Sequence, residues 1–182
     1  MQTVKVVVTG PFNAGKTTFI KTISEISVVS TEKKVSSKEK VIKDETTVAM
    51  DFGRVTVTSN VALYLFGTPG QDRFSFMWET LSQGMLGFVV LVDYSTGTTF
   101  IDSENILKYF KSISKVPYVV AVTKANGRVT PDIINDVRRK LVLGKEVPLY
   151  YCNISNKESV KEVLLGLLYR VLEEVQKRDK VR

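Results

Sequence analysis

GPFNAGKT, residues 10–17, follows the apolar run VKVVVTG (4–10) and opens a segment of helical period in which Phe19, Ile20 and Ile23 share a face. The run is short, β-branched and closed by glycine, so it reads as a buried strand. Strand, turn and helix in that order decide the fold, because they carry G-x-x-x-x-G-K-T through Gly10, Gly15, Lys16 and Thr17 without a gap. Gly10 and Gly15 permit backbone conformations that turn amide N–H groups around an oxyanion. The positive end of the following helix points at the same anion. Lys16 is placed to reach the β- and γ-phosphates of a nucleotide, and the Thr17 hydroxyl to ligate Mg²⁺.

Outward from this loop, strand-length apolar runs alternate with longer helical segments. TVAMDFGRVTV (47–57) and NVALYLFG (60–67) read as two strands joined at Thr58-Ser59-Asn60, a hairpin. GFVVLVDYS (87–95), PYVVAVTK (117–124) and VPLYYCN (147–153) supply three more. Helices are expected over about 15–25, 99–112 and 131–141, and from about Asn156 onwards. The third-last of these has Ile101, Ile106, Leu107 and Phe110 as its apolar positions; the last carries a stripe from Val160 to Val175 that covers the sheet. The 27–46 stretch is polar, lysine-rich and aperiodic, and reads as a mobile loop. Alternation after a hairpin implies a three-layer α/β fold, a mostly parallel six-stranded sheet with helices on both faces, as one domain over 1–182. In such sheets ligands bind at the carboxyl ends of the strands, where the motifs fall.

Composition narrows the chemistry. With no histidine, imidazole catalysis and His-ligated metals are ruled out. The single cysteine, Cys152, forms no intramolecular disulfide and suits a reducing compartment. The net charge of +7 is spread through mixed-sign stretches such as TEKKVSSKEKVIKDE (31–45), so a solvated surface is expected rather than a nucleic-acid interface. No apolar run reaches the ~20 residues that span a bilayer. MQTVKVVV lacks a signal-peptide pattern and RDKVR a prenylation box, so the expected state is cytoplasmic without a stable membrane anchor.

With the strand order in place, the chain resembles the Ras-like small GTPases over nearly its whole length, and more narrowly their prokaryotic MglA-like branch. Five segments carry the resemblance: GPFNAGKT (10–17), TTVAMDF (46–52), FGTPGQ (66–71), TKAN (123–126) and CNIS (152–155). It implies the P-loop small-GTPase fold and a GTP/GDP ligand held by Gly10, Asn13, Ala14, Gly15, Lys16, Thr17, Thr18, Gly70, Lys124, Asn126 and Ile154. Thr17 and Thr47 are expected to hold Mg²⁺. Gln71, Thr47 and Lys16 are the expected catalytic residues, with Gln71 orienting the attacking water. The γ-phosphate and Mg²⁺ would order residues 27–47 and 67–80, which signal to a regulatory or effector protein.

The chain departs from the family's pattern in three places. Gly67 stands where the family has an aspartate that braces a Mg²⁺-bound water. Asp51 on the neighbouring strand is a candidate replacement, the alternative being a paired or exposed strand carboxylate. Asn126 stands where an aspartate would accept from both guanine N1–H and the exocyclic amine; an amide presents one acceptor and one donor there, which leaves ATP open as the alternative ligand. Phe12 and Asn13 fill positions that are often glycine, narrowing the path for an activating arginine. Without such a residue hydrolysis is expected to be slow, since an arginine finger contributes ~10³–10⁵ in rate. Arg73 is the nearest arginine in sequence, with a switch-loop surface role as the other reading. Gly67 and Asn126 favour a module that binds without hydrolysis; Gln71 and Thr47 oppose it. Phe74, Phe76, Met77 and Trp78 are either a partner surface or core.

Overall fold

In the computed structural model, residues 1–30, 50–71, 74–95, 97, 99–125 and 130–180 are described. The elements run β1 (Gln2–Thr9), α1 (Lys16–Ile23), β2 (Val29–Ser30), β3 (Asp51–Thr58), β4 (Val61–Gly67), α2 (Phe76–Ser82), β5 (Gly87–Asp93), α3 (Thr99–Ile113), β6 (Tyr118–Thr123), α4 (Pro131–Lys140), β7 (Leu149–Tyr151) and α5 (Lys157–Lys180). Among the described residues the sheet has seven strands in the order β2-β3-β4-β1-β5-β6-β7. β4, β1, β5, β6 and β7 run parallel, while β2 and β3 are antiparallel to their neighbours.

Side chains of period two sort the β-branched runs between two cores. Val6 and Val8 point with Leu63, Leu65, Val89 and Leu91 towards α1 and α5, whose Phe19, Ile20, Val163 and Leu167 close that layer. Val7 points the other way, with Val90, Val92, Val120 and Val122, onto Trp78 of α2, Phe110 of α3 and Val137 of α4. Central strands buried on both faces need near-continuous apolar sequence, which is how 87–93 and 118–123 read. Parallel strands put their C-terminal ends on one edge, and the four loops that follow β1, β4, β6 and β7 meet there.

Several expectations are corrected here. The seventh strand is β2, where Val29 and Ser30 pair with Phe52 and Asp51 at the sheet edge inside a stretch read as loop. Two residues carry no periodic signal, so only the cross-strand partner reveals them. The 67–80 segment is likewise not all loop, since α2 begins at Phe76. On α3 the buried residue of the first turn is Phe100, and Ile101 is exposed. On α5 the stripe fades before its end, with Val175 exposed beyond the reach of the sheet. No helix among the described residues is long and apolar enough to cross a membrane.

The cluster of Phe74, Phe76, Met77 and Trp78 after Gln71 divides. Trp78 is buried, packs edge-on to Tyr109, and donates from its indole Nε1 to the Pro69 carbonyl at 2.9 Å, while Phe76 is 65% exposed. That hydrogen bond ties α2 to the loop leaving β4. Trp78→Phe keeps an aromatic side chain but removes the indole N–H and part of the buried ring, leaving the carbonyl unmet, so the urea unfolding midpoint is expected to fall by the equivalent of about 1–3 kcal/mol or more.

Candidate functional site

The loop between β1 and α1 is held in shape by contacts of its own residues. Gly15 takes φ 101°, a left-handed conformation that a side chain resists, and a Cβ there would run into Ile154 Cδ1. Asn13, at φ 61°, is a residue type that tolerates this region. Lys16 is buried and folds its ammonium over the loop, donating to the carbonyls of Gly10 at 2.8 Å and Pro11 at 2.6 Å. The Pro11 carbonyl, engaged from the lysine side, leaves the Phe12 amide of the same peptide to face the other way, as an anion cradle requires; the Gly10 carbonyl belongs to a peptide whose proline nitrogen carries no N–H. Thr18 is exposed in the first turn of α1.

Thr17 Oγ1 donates to Asp51 Oδ2 at 2.6 Å. Asp51, at the start of β3, is only 8% exposed, which settles that the strand carboxylate faces inward beside the phosphate loop. On the opposite wall Thr68 donates to Thr9 Oγ1 at 2.8 Å, and its amide to the Val8 carbonyl at 3.0 Å, pinning the end of β4 to the end of β1. Gly70 then lies over the loop so closely that a Cβ would come within 2.6 Å of Lys16 Nζ and of the Phe12 nitrogen. Only glycine fits there. Gln71 follows, its carbonyl accepting from the Phe74 amide at 3.0 Å.

A third wall comes from β6 and β7. Thr123 donates to the Ala14 carbonyl at 3.2 Å, and Lys124 to the Asn13 carbonyl at 2.9 Å, so the TKA segment grips the back of the phosphate loop. Lys124 also pairs with Asp93 Oδ2 at 2.6 Å. Burial pushes the Asp93 carboxyl up, but hydrogen bonds from Lys124 and Ser95 outweigh it and hold the group below the ordinary aspartate value. Ile154 packs against Gly15 and accepts from the Thr22 hydroxyl at 2.6 Å. Cys152 beside it is no nucleophile, because burial pushes its thiol up to about 12.

The structure therefore brings together Gly10, Asn13, Ala14, Gly15, Lys16, Thr17, Gly70, Gln71, Lys124 and Ile154. Thr47, Asn126 and Arg73 lie outside the described residues. Asp93 was missed by sequence reasoning. It sits at the end of β5 opposite Thr123, a register that appears once β5 and β6 are known to be neighbours. The donor set suits a hard cation with phosphate, since a threonine hydroxyl and a carboxylate are oxygen ligands.

The profile of a family described as "Conserved hypothetical ATP binding protein" matches residues 28–174. That span begins after the phosphate loop, so the loop is an observation separate from the match. An uncharacterized protein of Methanocaldococcus jannaschii is 35% identical over 123 residues, 68% of this chain and 71% of that protein. The Ras-related protein SEC4 of Saccharomyces cerevisiae is 25% identical over 137 residues, 71% of this chain and 62% of the yeast protein. The matches and the loop together support nucleotide binding at this edge.

Asp93 yields a pH prediction. A carboxyl whose pKa is lower in the folded chain contributes stability above the unfolded value, and that contribution is lost as pH falls through the folded one. Replacing Asp93 with asparagine is expected to flatten the decline in urea midpoint on acidification below 3.8, the ordinary aspartate value.

Proposed function

Because this chain belongs to the family described as conserved hypothetical ATP-binding proteins, we propose that it is a nucleoside-triphosphate-dependent switch. GTP is the ligand we favour, hydrolysed slowly, with nucleotide state signalled to a protein partner. The observation that carries this reading is the pose of Lys16, folded over a left-handed glycine loop at a helix N-terminus with Gly70 stacked on it. In phosphoryl transfer the protein mostly positions groups and neutralises charge, and these parts suit that work.

Mg²⁺, when bound, would supply positive charge to offset what develops on the transferring phosphate. Thr17 and Thr47 would hold it. The chain's own residues supply the rest. The loop amides and Lys16 bind the triphosphate, Gly70 brings a backbone amide to its far end, and Gln71 follows directly to orient water. Thr123 and Lys124 support the guanine reading, because they fasten the base-side loop to the phosphate loop. ATP is the second reading, favoured by the family's description and by Asn126. The MglA-like branch is the part of the small-GTPase group that the motifs of this chain fit best.

A partner surface is supported beside the switch segments. On the face of β3 and β4 turned away from α1, Phe52 packs on Tyr64 at 5.4 Å and on Phe66 at 5.1 Å between ring centroids, and all three rings are half-buried. Phe12 of the phosphate loop and Phe76 at the start of α2 are also exposed. Aromatic rings at a polar rim are characteristic of protein interfaces. Such a surface serves residues 27–47 and 67–80 as the reporting segments.

Competition of GTP, ATP and XTP against a fluorescent nucleotide tests the ligand, and tighter ATP binding would replace guanine with adenine. In single-turnover phosphate release, Gln71→Ala is expected to slow hydrolysis by roughly 10²-fold with nucleotide affinity unchanged, the signature of lost water positioning. An equal rate in the variant would favour a module that binds without orienting water.

A further inference from the structure

Gly67 and Asp51 are direct partners in the antiparallel β3–β4 ladder. Side chains at directly opposite positions share one volume, since their Cβ atoms stand ~4.5–5.5 Å apart. Here they crowd each other. A Cβ built on Gly67 would lie 3.1 Å from Asp51 Cβ and 3.2 Å from Asp51 Oδ2, so a side chain there would press on Asp51. The carboxylate beside Thr17 enters from β3.

That carboxylate is in an expensive position. Asp51 is 92% buried, and among the described residues it has no lysine or arginine within salt-bridge distance. Its one hydrogen bond there comes from a neutral hydroxyl, that of Thr17. A buried charge is normally paired or coordinates a metal. A threonine hydroxyl has one proton and two lone pairs, so Thr17 can donate to Asp51 and still offer a lone pair to a cation. No rearrangement is needed.

We propose that Asp51 is the carboxylate of the divalent-cation site, moved across one rung of the ladder from the position now held by Gly67. It acts behind Thr17, fixing the direction of that hydroxyl's lone pair and setting a negative charge beside the cation. This inference rests on the nucleotide reading above. It goes beyond that reading by naming the residue that makes good the glycine.

The test measures Mn²⁺ affinity by electron paramagnetic resonance on the full chain saturated with GDP, with ADP as a second arm. Asp51→Asn keeps an acceptor for Thr17 and removes the charge. It is expected to weaken Mn²⁺ roughly 10- to 100-fold, the usual cost of losing a partner behind a metal ligand. Affinity for the diphosphate in EDTA should not change. The double variant D51G/G67D returns a carboxylate to the same volume from the other strand and should recover most of the metal affinity; Ile20 Cδ1, 3.0 Å from the new Cβ, is the end of a side chain that can give way. Mn²⁺ affinity in D51N indistinguishable from the parent overturns the proposal, whether or not the double variant folds. So does D51N that loses diphosphate affinity in EDTA, because Asp51 is then a support of the loop. A parent chain that binds neither diphosphate in EDTA overturns the nucleotide reading instead, and this proposal with it.

Discussion

The phosphate loop depends on one interaction, the Lys16 ammonium held between the carbonyls of Gly10 and Pro11. Amides that converge on an anion repel one another when the anion is absent, and each peptide turned inward sends its carbonyl outward into protein. A loop of this kind keeps its form only if those carbonyls have partners. Lys16 supplies that of Pro11, and Thr123 and Lys124 supply those of Ala14 and Asn13; the Gly10 carbonyl that Lys16 also holds precedes a proline nitrogen without an N–H. The cradle is therefore built by its back, from Lys16 at the start of α1 and from Thr123 and Lys124 at the end of β6. The sheet order β4-β1-β5-β6 is what brings these elements to one edge.

The walls differ in how firmly they are held. The base-side wall has Lys124 fixed twice, to Asn13 and to Asp93, and Asp93 is in turn held by Ser95. The wall after β4 is anchored at Thr68 and through Pro69 to Trp78, and past that point Gly70 rests on the loop by contact. A ligand pays little ordering entropy at the first wall and more at the second. Differences between diphosphate and triphosphate would thus be expressed after Gly70, because a conformational change follows differential contact and only the γ-phosphate distinguishes the two.

Most of the architecture was legible because its signals are local. GPFNAGKT needs no partner to be read, and the β-branched runs at 4–9, 87–93 and 118–123 are buried on both faces, so each declares itself by composition. What was missed depends on distant residues. β2 is two residues long and exists only through its pairing with Phe52 and Asp51. α2 is a single short helix of seven residues, too short to show a clear period, held by Trp78 against Tyr109 and Phe110 some thirty residues on. Ile106, Leu107 and Phe110 of α3 face the core as the sequence indicates, but Ile101 falls off that face and Phe100, one residue earlier, takes the core position of the first turn. Asp51 could be named from sequence but not resolved between strand surface and site, since that depends on which residue of β4 lies opposite.

That last dependence explains how a glycine can stand where a carboxylate is expected without emptying the site. In an antiparallel ladder one volume is reachable from two backbones, and a function of charge at a point in space is indifferent to which strand delivers it. The two deliveries exclude each other, because a second carboxylate within ~4 Å would repel the first strongly in a poorly hydrated setting. A change on one strand therefore constrains the other, and an intermediate chain holds either both groups or neither. With neither, Thr17 loses its acceptor and a cation its charge partner. With both, the Cβ at residue 67 presses on Asp51 and Ile20. The pairing of Asp51 with Gly67 avoids both costs, so the two positions are physically one choice, and a motif read along a single strand sees only half of it.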